Sequence, residues 1–491
     1  MLKLLFNCIN NYIKIKLKTM FQKSIFFLLI LISFSIIDDQ NIKEKSPNII
    51  LILADDLGYA DVGFNGSKDI MTPHLDQIAA NGVVFKEGYV SYPVCGPSRA
   101  GLITGRYQDT FGFGKNPLFA PKDPNMGLPL SEQTIADMLK LSNYKTFAVG
   151  KWHLGAHETL RPLKRGFDEF FGFLTGGHRY FPHEWDLEDE TKVTSQGAAY
   201  RTKLLRNEKR IEEKEYLTDA LSRESVDFIE RNSNNPFFIY LAYNAPHGPL
   251  QATEKYLQRY DHIKEKNRKT YAAMVSDVDY GVGDNISKLK EKGIYDNTII
   301  YFLSDNGGRL RGDSDNGELR GKKGNLFEGG IRVPFVMQWP KKIKGGQIYN
   351  NPVISLDIFA TSKALTSPEI SSKNELHGVN LIPFLTGEKT HAPHKHLFWR
   401  NNLMQNDPNL RVEASAVRSQ KFKFIKNKEA VALYDLKNDI SEKNNLKNQE
   451  IDVYNKLLSE HKKWLKTLKD PIFLGLMANK QYNKLNPDRF N

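Results

Sequence analysis

Four short strand-like runs constrain this 491-residue chain more than any other feature: Asn48–Ala54 (NIILILA), Lys145–Val149 (KTFAV), Phe237–Tyr243 (FFIYLAY) and Thr298–Leu303 (TIIYFL). Apolar runs without a polar alternation read as strands covered on both faces, which is the condition inside a parallel sheet. Helical patterns lie between them. Thr72 and Pro73 open one that carries Leu75, Ile78 and Ala79 and stops at Gly82; Ser131 is expected to cap another reaching Leu141. Glu213–Arg231 carries Leu217, Leu221 and Phe228 at helical spacing, and a further helix carries Tyr271, Met274, Val275, Val278 and Val282. Strands alternating with helices predict an α/β fold, a large doubly wound mixed or parallel sheet flanked by helices, with ligands bound beyond the carboxyl ends of the strands.

Each of those ends is polar. Asp55 and Asp56 follow the first strand, Lys151 and His153 the second, Asn244 to His247 the third, and Asp305 and Asn306 the fourth. One such end is ordinary turn chemistry, but four on one sheet edge describe a site. From about residue 365 the pattern changes to short runs (HLFW, ASAVRS, KFKFIKN, AVALYDL) and then a helix from Asp452 to Leu468, which predicts a smaller C-terminal antiparallel sheet with a helix on it. The expected divisions are a leader at 1–37, a catalytic domain at 46–364 and an α+β subdomain with its tail at 365–491, the residues after Pro471 reading as a tail or a lid.

Composition bounds the rest. Hydrophobic residues at 40% and charged residues at 26% place the chain in the ordinary globular range. The formal charge of +12 is inflated by Lys3, Lys14, Lys16, Lys18 and Lys23, which precede the apolar run Ile25–Ile37. Lysines, then an apolar run, then Asp38 and Asp39 form the layout of a secretory signal, with Met20 as an alternative start. The run is short for a bilayer crossing, so no stable membrane span is expected, and the protein is expected to be exported, periplasmic or secreted. No basic helix, RNP-like strand or zinc-finger spacing accompanies the positive charge, and no nucleic-acid partner is expected. The cysteines are Cys8 and Cys95. Loss of the leader would leave one, so a disulfide framework is excluded for that form and Cys95 needs either burial or a chemical task.

Its context supplies the task. Cys95-Gly96-Pro97-Ser98-Arg99 has the Cys-x-Pro-x-Arg pattern, and PNIILILADDLG, CGPSRAGLITGR, GKWHLG, NAPHGP, FLSDNGG and GKKGNLFEGGIRVP follow one another through the chain. This ordered set resembles the formylglycine-dependent, type I sulfatases of the alkaline phosphatase-like superfamily, in particular exported polysaccharide sulfatases. The resemblance implies that a maturation enzyme oxidises Cys95 to 3-oxoalanine (formylglycine); one hydroxyl of its hydrate attacks sulfur as the alcohol leaves, and the second hydroxyl then loses its proton and expels sulfate, regenerating the aldehyde. It implies a metal held by Asp55, Asp56, Asp305, Asn306 and the modified Cys95; the hard oxygen donors suit Ca2+ better than a soft-ligand metal, with Mg2+ second. Lys151 and Lys323 would bind sulfate oxygens, Lys323 rather than Lys322 because it stands five residues before Glu328. Arg99 would support the modified residue, His153 would take a proton from the diol, and His247 would serve the departing oxygen. Pro97 and Ser98 are expected to begin a helix facing the anion. His178 and Arg179, in Gly176-Gly177-His178-Arg179-Tyr180, are expected to face substrate. A sulfated polysaccharide or oligosaccharide follows as the expected substrate, with ulvan or carrageenan as examples. Two other readings stay open here: a phosphate or phosphonate ester hydrolase of the same superfamily, and a sulfated-glycan-binding protein whose cysteine is never oxidised.

Overall fold

The computed structural model describes residues 1–37, 45–188, 193–310, 313–402, 414–428 and 430–487. Contacts divide the chain into Met1–Ser46 and Pro47–Asn491. In the first unit the apolar run and its lysine-rich lead belong to one continuous helix, Leu2–Ile37; Asp38 and Asp39 lie outside the described residues. Among the described residues no helix is long and apolar enough to cross a membrane.

The second unit is built on a ten-stranded mixed sheet. Its strand order is Gln347–Tyr349, Val83–Phe85, Phe335–Gln338, Thr298–Ser304, Asn48–Ala54, Phe237–Ala242, Lys145–Lys151, Glu169–Phe173, Leu205–Arg206 and Lys209–Arg210. The four runs expected to be parallel are adjacent: Asn48–Ala54 pairs in parallel with Thr298–Ser304 on one side and Phe237–Ala242 on the other, which in turn pairs in parallel with Lys145–Lys151. Phe335–Gln338 runs antiparallel to both of its neighbours, and a short antiparallel hairpin closes the far edge.

The pleat explains why these runs lack alternation. Ile49, Leu51 and Leu53 enter the core on one face, with Ala100, Ile103 and Leu139, whereas Ile50, Ile52 and Ala54 enter the core on the other, with Leu221, Met274 and Val282. Helices Cys95–Thr104, Ile135–Lys140 and Asp357–Thr366 contribute to the first layer, and Pro73–Ala80, Leu217–Asn232 and Lys266–Glu291 to the second.

Several boundaries move from their expected places. The helix expected from Ser131 begins at Ile135, capped by Thr134, whose side chain accepts from Asp137 N while Asp137 returns a bond to the Thr134 amide. Thr72 does precede a helix with Pro73 at its first position, but its hydroxyl makes no cap bond. The helix at Cys95 starts two residues before the expected Pro97, because proline is tolerated in a first turn whose amides have no intrahelical partner.

The C-terminal strands, Leu397–Asn401, Ala414–Arg418, Phe422–Asn427 and Ala430–Asp435, form the expected antiparallel sheet, and helix Ile451–Leu465 packs on it. A division after residue 364 would cut the helix Asp357–Thr366. Trp399, Ala416 and Ile425 of the small sheet enter the main core, and the Trp399 indole donates to Val90 O at 2.7 Å. Of the described residues after Pro471, Phe473 is buried, and Ile472 N and Leu476 N donate to the carbonyls of Gly112 and Asn116.

Candidate active site

The carboxyl ends of the four parallel strands gather the residues expected at the reacting centre. Asp55 and Asp56 leave the Asn48–Ala54 strand; Asp55 N donates to Ala245 O at 3.1 Å and Asp305 N to Ala54 O at 3.0 Å, so three strand ends are tied by backbone alone. Asp56 and His153 both have left-handed backbone, φ 66° and 56°, which is costly for residues with a side chain and persists only where surroundings enforce it.

Cys95 lies in the first turn of its helix, four residues before Arg99, which places both on one face. Its thiol donates to Asp55 Oδ1 at 3.4 Å, and Lys323 Nζ stands 3.2 Å from its sulfur. Burial, then the Asp55 charge, push the thiol up to about 12 against the pull of Lys151 and Lys323. An unmodified Cys95 is therefore overwhelmingly a thiol near neutral pH, and a weak nucleophile.

The charges are paired. Lys151 Nζ meets Asp55 Oδ2, Lys323 Nζ meets Asp56 Oδ1 at 2.6 Å, and Arg99 meets Asp305 Oδ2 through Nε at 2.9 Å and Nη2 at 2.8 Å. Burial works against both lysine charges, yet Asp55 and Asp56 outweigh it and hold the ammoniums above their ordinary range. Arg99 Nη1 also donates to Lys151 O at 3.1 Å, fixing the strand end that leads to His153. Lys322, the alternative to Lys323, is exposed.

His153 is buried and its Nδ1 has no hydrogen-bond partner among the described residues. Burial, followed by Lys151, Arg99 and Lys323, holds its pKa well below the usual value, so the ring is neutral and able to accept a proton. His247 Nδ1 donates to Gly248 O at 2.7 Å, and Nε2 faces Asp56 Oδ2 at 3.7 Å. Burial lowers its pKa to about 3 in spite of Asp56. In this arrangement Nε2 carries no proton, so donation to a departing oxygen requires the ring first to gain one there.

Asp55, Asp56, Cys95 and His247 each offer an atom, and these atoms lie within 4.8 Å of one another. Asn306 belongs with them: its Nδ2 donates to Asp56 Oδ1 at 2.8 Å, which turns its Oδ1 the other way. Asp56 Oδ2 and Asn306 Oδ1 are both buried acceptors without a hydrogen-bond donor among the described residues. Two such oxygens are expensive to bury and fit a hard cation. Asp305 has its Oδ2 committed to Arg99 and its Oδ1 3.3 Å from Asp56 N.

His178 does not face this cluster. It is fully buried, its Nδ1 and Nε2 each stand 2.8 Å from the carbonyls of Arg179 and Thr202, and Phe173 and Trp185 pack against the ring. No ring atom is left for a ligand, and burial lowers its pKa to about 4. Arg179 pairs with Glu184 at 3.2 Å on a part-exposed side chain. The contribution of this motif comes from its glycines instead: a Cβ at Gly176 would lie 2.7 Å from His153 Nε2, and one at Gly177 would lie 2.9 Å from the Tyr200 ring.

Other supports had no sequence signal. Asn116 Oδ1 accepts from Gly96 N at 2.8 Å, beneath the helix start. Tyr271, which reads as a core position of its helix, donates to Asp61 Oδ2 at 2.8 Å and accepts from Gly58 N at 3.1 Å, bracing the loop after Asp56. A cleft of about 270 Å³ opens at His247, lined by Arg309, Lys322 and Lys323.

The sulfatase family model matches residues 47–367, and the model for the C-terminal part of N-sulphoglucosamine sulphohydrolase matches residues 321–470. The chain belongs to the sulfatase family. It is 37% identical to mouse (Mus musculus) arylsulfatase J over 69% of this chain and 55% of that protein, and 35% identical to human (Homo sapiens) N-acetylgalactosamine-6-sulfatase over 70% of this chain and 66% of that protein. It thus spans between half and two thirds of these relatives' length. Among solved structures it is similar to Ps i-CgsB in complex with k-i-k-neocarrahexaose, at TM-score 0.82 and 40% identity, covering 91% of this chain and 100% of that one. The phosphonate monoester hydrolase of Agrobacterium radiobacter, at TM-score 0.61 and 19% identity over 86% of this chain and 95% of that one, shares the fold.

Proposed function

We propose that this protein hydrolyses sulfate esters of a sulfated polysaccharide or oligosaccharide, of the carrageenan type bound by the i-CgsB structure, with residue 95 acting as formylglycine. The carrying observation is the position of Cys95: 3.4 Å from Asp55, 3.2 Å from Lys323, and too high in pKa to act as a thiolate. Oxidation there replaces a poor sulfur nucleophile by an oxygen one among the same neighbours. It also converts the mixed sulfur, nitrogen and oxygen donors into a set dominated by oxygen, which supports Ca2+, held by Asp55, Asp56, Asn306, Asp305 and residue 95. When bound, the cation supplies charge neutralisation and polarisation of the sulfate oxygens.

The chain's own residues carry the steps. Lys151 and Lys323 hold the sulfate oxygens, since both ammoniums stay charged beside their carboxylates. Arg99 keeps Asp305 and the Lys151 carbonyl in place. His153, neutral and with an unpartnered Nδ1, takes the proton that leaves residue 95 as sulfate is expelled. His247, anchored on the Gly248 carbonyl, presents Nε2 to the leaving oxygen once that nitrogen is protonated. Export through the leader is part of the same reading.

The test pairs peptide mass spectrometry around Cys95 with metal analysis and release of sulfate from an aryl sulfate, run beside the phosphate and phosphonate of the same alcohol. A mass loss matching the aldehyde, bound calcium and chelator-sensitive sulfate release are expected. Substantial turnover by Cys95→Ala would overturn the mechanism, and faster turnover of the phosphonate would overturn the substrate class.

A further inference from the structure

The six inner charges cancel in pairs: Lys151 with Asp55, Lys323 with Asp56 and Arg99 with Asp305. The cleft at His247 then adds two further cations, Arg309 and Lys322, and no carboxylate is among the described residues that line it. Neither side chain makes an ion pair or a side-chain hydrogen bond with any described residue, whereas Arg201, Arg223, Arg231 and Arg268 are each paired with a carboxylate. Lys322 is exposed and, alone, reads as a solvated lysine. Arg309 is different. It is only part-exposed, and its Nη1 lies so close to the main chain of Gly248 that a Cβ there would come within 2.9 Å of it. The guanidinium is therefore seated on the residue that follows His247, at the wall of the cleft, with hydrogen-bond donors and no acceptor.

We propose that Arg309, with Lys322 beside it, binds a second anionic group of the substrate, so that the preferred substrate carries another oxyanion near the sulfate being removed. This rests on the hydrolase reading above and names its substrate class more narrowly. One sulfate monoester carries one negative charge, and Lys151 and Lys323 already serve it. A planar guanidinium with a free fork matches two oxygens of a further sulfate or of a carboxylate. Because the cleft opens to water, the interaction is screened, and its effect falls on selectivity more than on the chemical step.

The test uses a monosulfated disaccharide, its disulfated counterpart and a monosulfated disaccharide bearing a uronate, with wild type, Arg309→Ala and Arg309→Lys. The ratio of kcat/KM for the disulfated to the monosulfated substrate is expected to fall about tenfold in Arg309→Ala, with partial recovery in Arg309→Lys, because a charge-assisted bond of this kind is lost. A like fall for the uronate substrate identifies a carboxylate as an equal ligand; a fall for the disulfated substrate alone identifies sulfate. An unchanged ratio overturns the proposal. Titration calorimetry of the same ligands separates this failure from failure of the hydrolase reading. Tighter binding of the disulfated ligand, abolished by Arg309→Ala, upholds the anion site even where no sulfate is released, and equal affinity for both ligands refutes it even where sulfate is released.

Discussion

Replacing Lys423 by methionine should destabilise the protein through a charge cluster far from Cys95 in sequence. Lys423 Nζ lies 2.9 Å from Glu328 Oε1 and 3.0 Å from Glu442 Oε1, with all three side chains buried. Glu328 also accepts from the Tyr89 hydroxyl at 2.6 Å and faces Arg332 at 3.4 Å and Arg418 at 3.6 Å. Burial alone would raise its pKa, but Lys423, then Arg418 and Arg332, bring it to about 2, so it is ionised at neutral pH. Methionine keeps the length and removes the charge, leaving two carboxylates facing each other in a dry site. Removing one partner of a buried pair costs about 3–5 kcal/mol. For a unit of roughly 445 residues the unfolding entropy is about 0.9 kcal/mol/K, so that cost corresponds to a fall in Tm of about 3–5 °C. Differential scanning calorimetry at pH 7 measures it. Glu442→Gln in the Lys423→Met background should recover part of the loss, because Glu442, whose ion pair is with Lys423, is the stranded charge, whereas Glu328 keeps Arg332 and Arg418. A Lys423→Met protein within 1 °C of wild type, or one made worse by Glu442→Gln, would show that the cluster does not hold the fold in this way.

Two further outcomes follow from single contacts. Gly176→Ala would place a methyl group 2.7 Å from His153 Nε2 and 2.8 Å from its Cε1, so the ring must turn; kcat is expected to fall roughly ten- to a hundredfold with Tm nearly unchanged, and a wild-type kcat would refute the assignment of His153 to the chemistry. His394 donates to Asp357 at 2.8 Å, and that carboxylate overcomes the opposing effect of burial to raise the histidine pKa. A raised folded pKa gives stability that is complete below the unfolded value of about 6.5 and lost as pH rises through the folded one; the Tm gap between wild type and His394→Gln should therefore be widest at pH 5.5 and shrink by pH 9, and a gap that widens would reverse the sign of the reasoning.

Much of the fold was legible because a strand buried on both faces leaves a local signature. The run Asn48–Ala54 shows it without knowledge of its neighbours, and so do the polar residues just beyond each strand, since position on a parallel sheet's edge follows from chain direction. Local signals failed where two candidates competed within a few residues. Ser131 and Thr134 are both plausible caps, and only Thr134 has Asp137 in reach to complete the reciprocal bond. Sequence failed more completely where a side chain's fate depends on residues distant in the chain. His178 sits in a promising motif, but its partners include Thr202, 24 positions away, and Trp185. Gly176 is informative only once His153 is seen against it. Arg309 acquires meaning from Gly248, on a different strand end, and from the absence of a carboxylate partner among the described residues, which no local pattern encodes.

The small C-terminal sheet illustrates how such distant contacts reach the chemistry. Lys423, from the middle of that sheet, grips Glu328 at the first position of the short helix Glu328–Ile331. Glu442 takes the Glu328 amide at 2.7 Å with its other oxygen, and Arg320 donates to the Glu442 carbonyl at 2.6 Å. The loop between Arg320 and Glu328 is thus clamped at both ends, and Lys323 lies inside it, its own amide bonded to Gly308 O at 3.0 Å. A lysine on a free loop would lose about 2 kcal/mol of side-chain entropy, in addition to backbone entropy, on meeting an anion. On this clamped loop much of the backbone part of that cost is met by folding. Buried charge in the C-terminal sheet therefore serves the site by holding one ammonium where the sulfate oxygens are expected, and damage to the clamp should raise KM before it lowers kcat.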